Sequence, residues 1–307
     1  MIKTPIRYAG GKSRAIKLIA PLVPNEVHTI VSPFMGGGSL EVNWASNGKR
    51  VIGYDIFDML VNFWNVVLTK RVELVNKLKQ ITPNDIEYKR IKEILMQTPQ
   101  TQNMLKDWHT DFYRRTDVIE LDDVTRAAYY YFNHNCSYGP GYLGWGSSVY
   151  LNQRAWNRMI TSINTFVVPT LSVLQDSFDN VIRRHNTDFL YLDPPYYTER
   201  DTDNKMHGAI YPMKNIPVHH DGFDHELLRD LLKQHKGKFM LSYNNCETIR
   251  EYYKEFNQTF PEWNYSMGNG ETRIGKNRTD MGITNSKDSH EILITNFSPV
   301  SNNNQFF

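Results

Sequence analysis

Phe189-Leu-Tyr-Leu-Asp193-Pro194-Pro195-Tyr196 decides how the rest of the chain is read. Four apolar residues, two of them aromatic, are too few for a helix and suit a buried strand. Two consecutive prolines stop that strand, because neither has the N–H that a ladder requires, so Asp193 falls at its carboxyl end. In open α/β sheets that end is where ligands bind. An acid, two residues of locked φ and an aromatic ring at that point form a candidate active site.

The residue types suit one task. The exocyclic amine of adenine or cytosine is a poor nucleophile, because its lone pair is conjugated into the ring. A carboxylate and a rigid backbone carbonyl, here those of Asp193 and Pro194, can each accept one amine hydrogen. Together they draw the nitrogen towards a tetrahedral arrangement and aim its lone pair at an electrophile. Tyr196 adds a ring face on which a planar base can stack. A Pro-Pro turn beside a solvated Asp is the plain structural alternative.

Upstream, Val27 to Ser32 forms an apolar strand that runs through Pro33 and Phe34 into Gly36-Gly37-Gly38 and a helix from Leu40 to Ala45, closed by Asn47-Gly48. A second strand, Arg50 to Asp55, ends in an acid. Glycines let the backbone approach a ligand, and an acid after the second strand binds ribose hydroxyls, which is the logic of a nucleoside-cofactor site. Glu41 stands where the dinucleotide fingerprint has its third glycine. With no pyrophosphate to cradle, S-adenosylmethionine fits better than NAD. Arg7 to Ser13 looks like a phosphate loop but has Ile6 where the first glycine of that motif belongs. It reads instead as a turn that presents Lys12 to a ligand.

From Phe57 to about Thr165 helical patterns replace strands, at 59–69, 72–79, 86–96 and 124–132, as expected of a helical insertion between two halves of a sheet. Val124 to Thr165 carries no carboxylate, and holds Arg126, Arg154 and Arg158 among many aromatics. Asn133 to Tyr150 reads as a glycine- and amide-rich hairpin. Its amides Asn133 and Asn135 and its rings Tyr138, Tyr142 and Trp145 suit bases, whereas Arg154 and Arg158 suit phosphates. The sheet is expected to resume at 165–168 and to continue through Val173 to Asp176. There Asp176 and Phe178 could meet an adenine ring, or Asp176 or Ser177 could cap a helix. Residues 197–222 read as a lid loop, and 267–289, with Arg273, Lys276 and Arg278, as a second backbone-contacting loop. A closing strand at 290–297 is expected to pair with one near Trp263.

The totals describe an ordinary globular protein of 307 residues, 40% hydrophobic and 22% charged, with a formal net charge of +2. That balance leaves nucleic-acid binding to local surface. There is no apolar run of membrane length and no signal-peptide core, so the expected compartment is the cytoplasm of a prokaryotic or phage-infected cell. Cys136 and Cys246 lack metal-ligand spacing, and no metal is expected.

The order Tyr8-Ala-Gly-Gly-Lys12, Pro33-Phe34-Met-Gly36-Gly-Gly38-Ser39, Tyr54-Asp55, Asp176-Ser-Phe178, Asp193-Pro-Pro-Tyr196 and a terminal Glu291-Ile-Leu-Ile-Thr-Asn-Phe resembles the Dam-like DNA N6-adenine methyltransferases over nearly the whole chain. The resemblance implies an α/β fold, with a Rossmann-like methyltransferase core at 1–56 and 166–300. It places a mainly helical target-recognition domain with a hairpin at 57–165 and a tail at 301–307. It further implies S-adenosylmethionine as donor and site-specific methylation of a flipped adenine in double-stranded DNA. Tyr8, Lys12, Asp55 and Asp193 become donor-site residues, with Phe34, Gly36, Gly38, Asp176 and Phe178 shaping the same pocket. Many relatives carry an acid where this chain has Ser32 and an indole where it has Tyr8. Two other readings stay open at this level: a cytosine-N4 methyltransferase, and a non-catalytic DNA-binding protein with the donor as structural ligand. The recognition sequence and any partner endonuclease are not written in these residues.

Overall fold

The chain is described by a computed structural model that covers residues 2–104, 117–139, 141–197, 222–261, 264–266, 286–288 and 291–299. In chain order its elements are α1 (Ile16–Ile19), β1 (Thr29–Ser32), α2 (Ser39–Ser46), β2 (Arg50–Asp55), α3 (Asp58–Thr69), α4 (Arg71–Lys79), α5 (Asp85–Met96), α6 (Pro99–Met104), α7 (Asp123–Asn135) and α8 (Gln153–Asn164). There follow β3 (Leu171–Gln175), α9 (Phe178–Arg184), β4 (Phe189–Leu192), α10 (His225–Gln234), β5 (Phe239–Asn244), α11 (Glu247–Tyr252), β6 (Asn257–Thr259), β7 (Asn264–Ser266), β8 (Ser286–Asp288) and β9 (Glu291–Thr295).

Seven strands form one sheet in the order β3-β2-β1-β4-β5-β9-β6. Neighbours are parallel from β3 to β5, and β9 runs antiparallel to both β5 and β6. Strand order reverses between β1 and β4, and in such sheets the crevice at the reversal is the ligand site. Period-two pleating divides each central strand between two cores. Ile30, Val51, Tyr191, Met240 and Leu293 face one layer, where they join Leu40, Trp64, Tyr131 and Trp156. Val31, Tyr54, Leu190, Leu192, Leu241 and Ile294 face the other, against Val181, Ile182, Leu228, Leu232 and Ile249 of α9, α10 and α11. Cutting one of these buried leucines or isoleucines to alanine costs about 2–5 kcal/mol. Polar caps set several helix starts: Asn84, Asp122, Asn152 and Asp224 each accept a backbone N–H three residues on.

Two expectations change. Residues 165–168 form no strand, because Phe166 and Val168 are drawn into the helical layer, and the pairing begins at Leu171. The closing strand β9 pairs with β6 at 257–259. Trp263, the lid at 198–221 and Arg273, Lys276 and Arg278 lie outside the described residues. Helix α3 packs on the sheet, with Met59, Phe63 and Trp64 in the same apolar cluster as Ile30 and Val51.

Candidate active site

The turn after β1 is built on glycines for reasons of space. A Cβ on Gly37 would lie 2.4 Å from Tyr8 Cβ, so Tyr8 rests directly on the turn. Gly38 has φ +61°, and a Cβ there would come within 2.5 Å of Met35 Cε. Asp55, at the end of β2, braces this turn. Its Oδ2 accepts from the Gly36 N–H at 2.9 Å and its Oδ1 from the Phe57 N–H at 3.0 Å. Burial raises the Asp55 pKa against the pull of those donors. The ends of β1, β2, β3 and β4 then enclose a cavity of about 400 Å³, lined by 8–12, 33–41, 55–57, 176–178, 193–196, 222–224 and Tyr191. Every residue assigned to the donor site by sequence lines it.

At its floor lies a buried polar network centred on Lys12. The Nζ atom donates to both Asp193 oxygens, at 2.7 and 2.8 Å, and to the Tyr196 hydroxyl at 2.9 Å. It is also 3.3 Å from Glu291 Oε1. The Tyr196 hydroxyl donates in turn to Glu291, whose other oxygen accepts from Ser242 Oγ at 2.8 Å. Burial raises the Asp193 pKa, and the Lys12 ammonium pulls it back down. Glu291, more deeply enclosed, is pushed up to about 7. The Asp193 side chain keeps 22% of its surface exposed while Lys12 keeps 3%, so the lysine grips the carboxylate from the buried side. Asn244, the last residue of β5, clamps the turn with two bonds to the Tyr197 backbone, each 2.9 Å. The Tyr196 hydroxyl is thus turned inward while its ring lines the cavity.

Towards β3 the walls are aromatic. Phe34 stacks on Phe178 at 5.6 Å, and Phe223 packs against both rings. Asp176 lies here, but its carboxylate is engaged locally: Oδ1 accepts from the Ser177 N–H and Asn180 Nδ2, and Oδ2 from Arg184 at 2.5 Å. Ser177 is the N-cap of α9 and makes no side-chain cap bond, so Asp176 braces the start of the helix through Asn180 and Arg184 rather than capping it.

The residues expected to face DNA divide into two groups. Asn133, Asn135 and Tyr142 are buried, which removes them from any groove-facing surface. Asn133 Oδ1 accepts from the Leu143 N–H at 2.7 Å, and the Tyr142 hydroxyl bonds Thr101 Oγ1 at 2.6 Å. Asn135 holds Arg7 through its side-chain oxygen at 2.9 Å and its carbonyl at 2.7 Å, while the Arg7 guanidinium lies 3.8 Å from the Tyr150 ring centre. These amides bind backbone because a glycine-rich loop leaves many N–H groups to satisfy. By contrast, Trp145 is 75% and Tyr138 51% exposed, where the loop closes on the Tyr138 N–H to Trp145 carbonyl bond and the Ser137–Gly146 bridge. Arg154 and Arg158 are exposed one turn apart on α8, a helix absent from the sequence reading. Sequence reasoning also passed over Glu291, Ser242, Tyr191 and Phe223, and did not give Glu41 a place in the site. The available signal was an acid opening an otherwise apolar terminal strand.

The strand order, the glycine turn after β1, the acid after β2 and the acid-proline turn after β4 define a Rossmann-like methyltransferase fold. The chain belongs to the D12 class N6 adenine-specific DNA methyltransferase family, whose model matches residues 8–267. It is similar to the modification methylase StsI of Streptococcus sanguinis, with 24% identity over 96% of this chain and 43% of the relative. Similarity extends to the type II methyltransferase M.FokI of Planomicrobium okeanokoites, at 22% over 97% of this chain and 43% of the relative. With the type II methyltransferase M1.LlaDCHI of Lactococcus lactis subsp. cremoris it shares 26% identity, over 95% of this chain and 94% of the relative. The chain therefore spans less than half the length of the first two and nearly all of the third. Among the described residues no helix is long and apolar enough to cross a membrane, and no cluster of three or more His, Cys, Asp or Glu forms a candidate metal site.

Proposed function

We propose that this chain is a DNA adenine-N6 methyltransferase that takes its methyl group from S-adenosylmethionine and acts on a base flipped out of double-stranded DNA. The observation that carries the reading is Asp193, held by Lys12 at the end of β4 on the wall of a cavity of about 400 Å³. The donor fits the residues present. Aromatic rings at Phe34 and Phe178 suit an adenine, Asp55 suits ribose hydroxyls, and the glycine turn has no room for side chains between it and Tyr8. When bound, the donor supplies a methyl group activated by its sulfonium.

Burial raises the Asp193 pKa and the Lys12 ammonium opposes that shift, favouring the carboxylate whose exposed side can accept one hydrogen of the target amine. The Pro194 carbonyl accepts the other, and the Tyr196 ring carries the base. With the donor bound, methyl transfer to the amine would release one of its protons, and Asp193 is the residue placed to accept it. We assign target recognition to the 57–165 segment, with Tyr138 and Trp145 towards bases and Arg154 and Arg158 towards phosphates. A cytoplasmic protein is the reading that follows, with modification of the type carried out by its named relatives; a partner endonuclease is compatible with those names.

Asp193→Ala is expected to abolish tritiated-methyl transfer to DNA while preserving fold and most DNA affinity. Full activity in that variant would sink the mechanism. Nucleoside mass spectrometry of the product DNA separates N6-methyladenine from N4-methylcytosine.

A further inference from the structure

Glu41 is the third residue of α2, only 3% exposed, and lines the cavity. Its Oε1 accepts from Ser32 Oγ at 2.8 Å, the one side-chain hydrogen bond it makes among the described residues. No basic side chain is paired with it there. Lys12, the cation whose charge reaches it, is engaged by Asp193 on both oxygens and lies 3.3 Å from Glu291. Burying a carboxylate without a cation is expensive, and the first turn of a helix offsets only part of that. A glutamine would serve Ser32 as well. A chargeable group held in a cavity wall at this penalty points to a cationic ligand group.

We infer that Glu41 is the residue that receives the α-ammonium of the methyl donor. The inference rests on the reading that the cavity takes S-adenosylmethionine. Of the donor's two cations, the ammonium presents three N–H donors to a carboxylate, whereas the sulfonium presents none. Glu41 also stands at the Asp193 side of the cavity, close enough for the charges of Asp193 and Lys12 to bear on it and for its own to bear on Tyr191. Burial pushes its carboxyl up to about 7, so an arriving ammonium meets a group that readily gives up its proton at neutral pH.

The test is isothermal titration of the full chain and of Glu41→Gln with two ligands. S-adenosylhomocysteine keeps the ammonium and lacks the sulfonium; 5′-methylthioadenosine lacks the whole amino-acid arm. The variant is expected to lose about 10- to 100-fold in affinity for S-adenosylhomocysteine, the scale of one charge-assisted bond. Its affinity for 5′-methylthioadenosine should be unchanged, which also verifies the fold. Wild-type affinity for S-adenosylhomocysteine relative to the variant should rise with pH up to about 7. Equal S-adenosylhomocysteine affinities would overturn the assignment, as would a parallel loss for 5′-methylthioadenosine. If wild-type protein bound neither ligand, the donor-cavity reading would fail and this assignment with it.

Discussion

Replacing Glu41 by glutamine should stabilise the free protein, by an amount that depends on pH. In the unfolded chain this carboxyl ionises near its ordinary value of 4.5, whereas in the folded chain it keeps its proton to about 7. Between those values the folded state binds the extra proton, so stability falls as pH rises. At about 1.4 kcal/mol per pH unit, the penalty relative to a neutral isostere is about 1 kcal/mol at pH 5 and about 3 kcal/mol at pH 8. Lys12, Asp193, Tyr191 and Ser32 face this group, and all are retained in Glu41→Gln. Glu291, whose carboxyl is also raised by burial, is present in both proteins. Denaturant unfolding at pH 5 and pH 8, without ligand, measures the effect. The variant should gain about 2 kcal/mol on wild type between the two conditions. Saturating S-adenosylhomocysteine should shrink that advantage, because only the wild-type carboxylate pairs with the ligand. A variant no more stable than wild type at pH 8, or an advantage independent of pH, would refute the claim that a desolvated carboxylate sits there.

Glu291→Gln preserves shape and the acceptor for Tyr196 but removes the second carboxylate beside Lys12. Steady-state methyl-transfer kinetics should show kcat lowered by about 10- to 100-fold with little change in KM for DNA, since misplaced catalytic groups act on the chemical step; a change confined to KM would remove Glu291 from the positioning of Tyr196. In the recognition segment, Asn135→Ala is expected to lower stability by about 1–3 kcal/mol through loss of the bond to Arg7, and to leave site preference alone. Trp145→Ala should do the reverse, altering which sites are methylated in a random-sequence plasmid library without a change in melting temperature. Arg158→Ala should weaken binding to all DNA and reduce the slope of log affinity against log salt by about 0.9, and an unchanged slope would take Arg158 off the phosphate backbone.

What could be read from sequence was whatever local rules determine. Prolines after Phe189–Leu192 and the glycines after β1 have few backbone options, so the ends of β4 and β2 and the Gly36–Gly38 turn fall where the sequence puts them. The hairpin amides were misread because composition does not distinguish an amide that meets a base from one that satisfies its own loop. The side-chain oxygens of Asn133 and Asn135 accept from Leu143 and Arg7, contacts 10 and 128 residues away in sequence. The same limit hid the acids. Glu41 looks like an ordinary first-turn glutamate on α2, and Glu291 like the polar first residue of an edge-bound strand. The turn from β1 into α2 sets the Glu41 carboxylate against Ser32, and sheet order sets the Glu291 carboxylate between Ser242 and Tyr196. Lys12 is engaged by Asp193 and lies beside Glu291, so under the proposed reading the cation that Glu41 receives comes with the ligand.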